Sequence, residues 1–283
     1  MTLIRNTIVN SDAVNDVWSF PVDFGLRRRL FGVEVFAHPA KLHLGLLQRL
    51  IEMYTCAGDT LLDPMAGTGS LMLAATQQRH VILRDVQQEY VTLMNTVAPR
   101  IRRAAGLFAG RIDIDRCDAR ALTCPAFNHI IFSPPYGFET GTSGGWERRL
   151  ERLRETNHDP RWYRKFGNGS SHKFHYEGSA ANTGNKSGRA YWNDMAAIYA
   201  RLAELSPVGG RMIVVIENPY RNNKVVDVVS QTITVVEEID FCLVARHGRA
   251  VEPLSLWQRR RKEQGLPVVE VEDVLVFEKQ VTP

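Results

Sequence analysis

Cysteine is scarce. The chain has four in 283 residues, Cys56, Cys117, Cys124 and Cys242, and no two form a CxxC pair. This argues against a disulfide framework or a cysteine zinc site, and for reduced thiols in a cytosol. Histidine offers no better metal spacing. His158, His172 and His175 are scattered, and His172-Lys173-Phe174-His175 is a weak pattern alone, so no metal is expected. Nothing approaches the ~20 uninterrupted apolar residues of a membrane span, so no membrane partner is expected. The start, Met1-Thr2-Leu3-Ile4-Arg5-Asn6, lacks the basic-then-apolar pattern of a secretory signal, and a cytoplasmic location is the expectation. No internal repeat or heptad run is present. Charge of one sign is also in short supply: 35 Lys and Arg against 31 Asp and Glu leave +4.

What is present is the balance of an ordinary folded domain, 44% apolar and 23% charged. The length is enough to bury roughly 70–75% of the unfolded surface. We read 1–283 as a single domain, with 1–35 as an N-terminal extension and 137–190 as a basic, glycine-rich insertion. Between Gly137 and Ala190 stand ten Lys and Arg against six Asp and Glu, with nine glycines. That segment carries the whole positive surplus, a hint of a polyanion partner.

Short apolar strands alternate with helical spacing along the rest. Strands are predicted at Thr60–Leu62, His80–Leu83, Ile112–Ile114, His129–Phe132, Met212–Ile216, about Val235–Ala245, and Val274–Phe277. Helices are predicted around Leu44–Tyr54, Ser70–Gln78, Gln88–Ala104, Met195–Leu205 and Val225–Val229. A second basic loop is read from Arg246 to Gly265. The alternation implies a doubly wound α/β fold with a parallel sheet covered on both faces. The last two strands lack a clear crossover helix, so one of the seven is expected to be reversed.

Four places along this pattern carry chemistry. The turn Asp63-Pro64-Met65-Ala66-Gly67-Thr68-Gly69 follows the first strand, where a doubly wound sheet binds its ligand. Gly67 and Gly69 permit positive φ and close approach, and the following helix start offers N–H groups. Asp63 can meet a cationic amine. The spacing departs from GxGxxG because Met72 fills the third glycine position, and a plain glycine turn explains the residues about as well. Asp85, about 20 residues on, stands where such sheets place a carboxylate on ribose hydroxyls, although an N-cap explains it too. Asp118 follows the third strand and can accept from an adenine amine, or can simply order its loop. Phe132-Ser133-Pro134-Pro135-Tyr136-Gly137 follows the fourth strand. Ser133 and the Pro134 carbonyl can accept together from one exocyclic NH₂, Pro135 stiffens the backbone, and Tyr136 offers a face for stacking a base.

These motifs resemble the S-adenosylmethionine-dependent DNA amino-methyltransferases of the cytosine-N4 and adenine-N6 type. Trp18-Ser19-Phe20-Pro21 looks like the segment ahead of their core, and His38-Pro39-Ala40-Lys41 like the motif before their first strand. Asp63 to Ser70 resembles their cofactor loop, and Ser133-Pro134-Pro135-Tyr136 their catalytic motif in the serine form more typical of cytosine-N4 enzymes. Glu272-Asp273-Val274-Leu275-Val276-Phe277 resembles their closing strand. Met65-Ala66 replaces the usual aromatic of the cofactor loop, and the insertion replaces a compact recognition domain. The resemblance implies a Rossmann-like class I methyltransferase fold, with target recognition after the catalytic motif. It implies a cofactor site of His38, Lys41, Asp63, Pro64, Met65, Gly67, Thr68, Gly69, Asp85 and Asp118.

The implied reaction is direct methyl transfer to the amine of a flipped base in DNA, cytosine N4 favoured over adenine N6. Phosphate contacts are expected from Arg148, Arg149, Arg152, Arg161, Arg164 and Lys165, and from Arg259, Arg260 and Arg261, each of which reads equally as part of a solvated charged face. RNA is not excluded as the substrate. Rival readings are an RNA base-amine methyltransferase, a protein-amide methyltransferase, a nucleotide-binding module without catalysis, and a nicotinamide oxidoreductase. The last wants a closer GxGxxG. A partner restriction endonuclease or a solitary role are both open.

Overall fold

Runs of Val, Ile and Leu without polar alternation make strands that are buried on both faces. In the computed structural model, which describes residues 14–37, 41–136, 182–221, 224–254 and 256–281, they form one eight-stranded sheet. The strands are β1 (Val17–Trp18), β2 (Thr60–Asp63), β3 (His80–Asp85), β4 (Ile112–Arg116), β5 (His129–Phe132), β6 (Arg211–Ile216), β9 (Phe241–Ala250) and β10 (Val271–Lys279). A separate hairpin joins β7 (Tyr220–Arg221) to β8 (Lys224–Val225). The sheet order is β1-β9-β10-β6-β5-β2-β3-β4. Strand β10 runs antiparallel to both neighbours, and the other pairings are parallel. The one reversed strand is as expected. The eighth strand is β1, a two-residue edge piece too short to show alternation.

Helices cover both faces. On one lie α1 (Phe24–Phe31), α2 (Leu44–Tyr54), a 3-10 helix at Ser70–Gln77, and α3 (Gln88–Ala105). On the other lie α4 (Gly188–Leu205) and α5 (Val228–Glu237). Successive strand residues serve opposite layers: Leu61, Ile131, Ile213 and Val215 face the first, while Leu62, Ile130, Met212 and Val214 face the second. The 3-10 winding of Ser70–Gln77, where an α-helix was expected, lets Ser70 to Ala75 all be buried.

Three expectations change. The strand predicted from Val235 is a helix up to Glu237. Val228, Val229, Thr232, Ile233 and Val236 are buried at helical spacing, and that packing overrides the β preference of branched residues. The basic loop from Arg246 is strand through Ala250, followed by helix α6 (Leu256–Glu263). The insertion is shorter at its far end than 137–190. Thr183–Asn185 forms a 3-10 turn, and α4 starts at Gly188.

The N-terminal extension is also part of the core. Phe31 and Val35 are fully buried. Arg27, 2% exposed, ion-pairs with Asp23 at 2.7 Å and donates to the Leu42 carbonyl and the Ser70 hydroxyl. Asp23 in turn accepts from the Leu44 amide at the start of α2. Arg27 therefore ties α1 to the segments on either side of α2. Arg27→Ala should cost about 3 kcal/mol, because it strands the Asp23 carboxylate and two buried acceptors, the Leu42 carbonyl and the Ser70 hydroxyl. The fall in urea midpoint measures this, and an unchanged midpoint would contradict it.

Candidate active site

The turn after β2 and the loop after β5 emerge side by side because the two strands are hydrogen-bonded neighbours, Leu61 opposite His129 and Leu62 opposite Ile130. The chain runs from β2 to one side (β3, β4) and returns on the other (β5, β6), so a crevice opens between them. A cleft of about 270 Å³ occupies this place. Lys41, Asp63, Pro64, Met65, Gly67, Thr68, Asp85 and Asp118 line it together with Ser133, Pro134, Pro135 and Tyr136. Most of the predicted cofactor residues thus share one cavity with the predicted catalytic residues. Gly69 is the exception among those described. Its φ is +75°, and a Cβ there would lie 2.6 Å from the Met72 methyl, so it serves the turn from the core side. Met72 explains the missing third glycine: it is fully buried beneath the turn and away from the cleft. His38, Arg148, Arg149, Arg152, Arg161, Arg164 and Lys165 lie outside the described residues.

Four carboxylates, Asp63, Asp85, Asp118 and Glu272, stand in the cleft wall. Asp63 is 6% exposed and accepts from the Met65 amide at 3.0 Å. Burial pushes its carboxyl up to about 8, with Asp85 adding to the rise. Asp85 ends β3, accepting at one oxygen from the Gly67 amide (2.8 Å) and at the other from Gln87 (2.9 Å). It therefore braces the glycine turn, and burial raises it to about 6. Glu272 lines the opposite side and is paired with Arg249 at 2.7 Å. Lys41 is a cation on the wall, and burial lowers it to about 8, with Arg27 acting in the same direction.

Asp118 differs from expectation in its surroundings. Its carboxylate is gripped by Arg120 through Nε and Nη2, and that partner holds it below the usual carboxylate range. Arg120 also reaches Asp194 on α4, which accepts from Thr183 and Lys186. This network seats Asn182, Thr183 and Gly184 in the cleft wall, residues that read as featureless loop in the sequence. The sequence signal was only an Asn-x-Gly turn pattern: the Asn182 side chain accepts from the Gly184 amide at 2.9 Å. On the loop after β5, Ser133 is within hydrogen-bonding reach of Tyr136, and the Tyr191 hydroxyl of α4 donates to the Pro135 carbonyl at 2.6 Å. Burial raises Tyr136 far above an ordinary phenol, and Glu272 and Glu217 push the same way, so the ring is a neutral flat face.

The third basic candidate on α6 is corrected. Arg261 is 5% exposed, its guanidinium lies 4.8 Å over the Tyr220 ring, and it donates to the Pro267 carbonyl. It holds α6 to the hairpin and is not a phosphate contact. Arg259 and Arg260 are exposed. Among the described residues no cluster of three or more His, Cys, Asp or Glu could hold a metal ion, and no helix is long and apolar enough to cross a membrane.

Residues 4–96 match the family described as DNA methylase, N6_N4_Mtase. That segment, about a third of the chain, is similar to the N6/N4 DNA methylases. It carries the cofactor turn and Asp85, so the resemblance read from the sequence is borne out over it. The chain is also 32% identical over 80 residues to the type II methyltransferase M.ScaI of Streptomyces caespitosus, a match covering 28% of this chain and 26% of that enzyme. The chain thus spans about a quarter of that curated relative. Among solved structures, a methyltransferase from Pyrococcus furiosus aligns over 91% of this chain and 94% of its own, with a TM-score of 0.52 at 11% identity. TrmN from Thermus thermophilus aligns over 90% of this chain and 53% of its own, with a TM-score of 0.47 at 18% identity. The fold is that of the class I methyltransferases, and S-adenosylmethionine is the cofactor that the family match implies.

The donor set fits that cofactor. It is cationic at sulfur and at its amino group, and the cleft sets Asp63, Asp85, Asp118 and Glu272 against Lys41. A cation beside Asp63 favours the ionised carboxyl, so binding near pH 7 should release about one proton. Calorimetry in buffers of unlike ionisation enthalpy reads this directly, and buffer-independent heats would contradict it. The cofactor-free protein holds the same proton up to about pH 8, whereas an unfolded Asp releases it near ~3.9. Between those values the folded state binds more protons, so stability falls as pH rises. Asp63→Asn should raise the melting temperature at pH 8, by roughly 2–4 °C per kcal/mol recovered, but not at pH 3.

Proposed function

We propose that the protein is a DNA methyltransferase acting on the exocyclic amine of a flipped base, cytosine N4 in preference to adenine N6, in the cytoplasm. The observation that carries the reading is the shared cleft: the glycine turn and Ser133-Pro134-Pro135-Tyr136 line one cavity. When bound, S-adenosylmethionine supplies a methyl group on a cationic sulfur. The chain's own residues do the rest. Lys41, Asp63 and Asp85 would hold the cofactor, Asp63 at its amino group and Asp85 through the glycine turn it braces. Ser133 and the Pro134 carbonyl accept from the amine hydrogens, favour a tetrahedral nitrogen and meet the positive charge that develops there. Tyr136 stacks on the base and aligns it, a contact worth ~1–3 kcal/mol in comparable sites. Alignment supplies most of the gain, and no cysteine nucleophile is needed. The serine form of the catalytic motif favours cytosine N4.

Arg259 and Arg260 stand on α6, in the connection from β9 to β10. The pairing of Asp273 with Ile216 sets the start of β10 against the end of β6, so this connection lies at the cleft end of the sheet. Together with the basic residues of the insertion they would carry the duplex phosphates. A restriction endonuclease is the natural partner if the enzyme protects a recognition site.

Tyr136→Ala or Pro135→Ala should abolish label transfer from S-adenosylmethionine to DNA and leave cofactor affinity nearly intact. Full activity in both would remove the catalytic assignment. DNA affinity should fall steeply with salt. Arg259→Ala and Arg260→Ala should each flatten the slope of log K against log salt by about 1. An unchanged slope would take α6 out of the interface.

A further inference from the structure

Two consecutive prolines have no amide hydrogens, so the loop after β5 cannot be anchored through N–H groups of its own at Pro134 and Pro135. It can be held there only through carbonyls. The rings fix φ at both residues, and Pro135 confines Pro134 to extended backbone. What remains free is the swing of the rigid pair as a unit, and that swing decides where the Ser133 and Pro134 acceptors point. One described contact restrains it: the Tyr191 hydroxyl donates to the Pro135 carbonyl at 2.6 Å. Tyr191 is 1% exposed, on the second turn of α4. Three residues on, and hence on the same helix face, Asp194 holds Arg120, Thr183 and Lys186. That helix is therefore fixed to the far wall of the cleft by one residue and to the catalytic loop by the other.

We propose that Tyr191 is a positioning residue for methyl transfer: its hydroxyl fixes the Pro135 carbonyl and so sets the direction of the Ser133 and Pro134 acceptors. It does not line the cleft. The inference rests on the catalytic reading of Ser133 to Tyr136. Burial keeps the Tyr191 phenol protonated far above neutral pH, so it donates throughout the working range.

Tyr191→Phe removes the oxygen and keeps the ring. Single-turnover transfer from labelled S-adenosylmethionine to unmethylated plasmid DNA should fall roughly 10- to 100-fold, as misaimed reacting groups require. Cofactor affinity should stay at the wild-type value. Tyr199→Phe is the control, since Tyr199 lies on the same helix, is fully buried and packs on Phe132 instead of holding the loop. It should retain wild-type transfer. Wild-type transfer in Tyr191→Phe, or an equal loss in both tyrosine variants, would overturn the proposal. Tyr136→Ala separates this from the parent reading. If it is inactive while Tyr191→Phe is fully active, only the positioning role fails. If it is active, the catalytic assignment fails and takes the positioning role with it.

Discussion

Strands β2 and β5 are hydrogen-bonded neighbours although β3 and β4 lie between them in sequence. Every functional statement depends on that pairing. Parallel strands at ~4.8 Å spacing deliver their following loops to the same edge of the sheet. The glycine turn and the double-proline loop then face each other without any specially evolved contact between them. The order reversal between β2 and β5 keeps helices from closing the gap, because α2 and α3 cover one layer and α4 and α5 the other.

The cleft stores electrostatic work. Asp63 and Asp85 are both buried and both raised, and the Asp85 charge adds to the rise at Asp63, so a cationic ligand beside Asp63 would displace its proton. The walls around them are braced by other charges: Arg27 links α1 to Ser70 of the cofactor loop, and Arg120 links Asp118 to α4. These arginines hold the backbone around Asp63 and Asp85, whose own hydrogen-bond partners are backbone amides. The loop after β5, with no amide hydrogen at Pro134 or Pro135, is held at the Pro135 carbonyl by the neutral Tyr191 hydroxyl.

Much of the fold was legible because buried parallel strands announce themselves as short runs such as Leu61-Leu62 and Met212 to Ile216, bounded by turn residues. The site was legible where function needs a rare local pattern, as at Gly67-Thr68-Gly69 and Pro134-Pro135. Legibility failed where tertiary packing decides. Thr232 to Val236 has strand composition but packs as helix α5. Arg261 sits in a run of basic residues that reads as surface, yet its guanidinium stacks on Tyr220, far earlier in the chain. Asn182 to Gly184 belongs to the cleft wall only because Asp194 and Arg120 seat it there, and no pattern of spacing encodes that contact.

A crystal structure with S-adenosylhomocysteine bound tests the central claim most directly. The account places its amino group at Asp63 and its sulfur turned toward Ser133 and Pro134, within the one cleft. Density for the ligand elsewhere on the sheet, or with the sulfur turned away from the double proline, would contradict it.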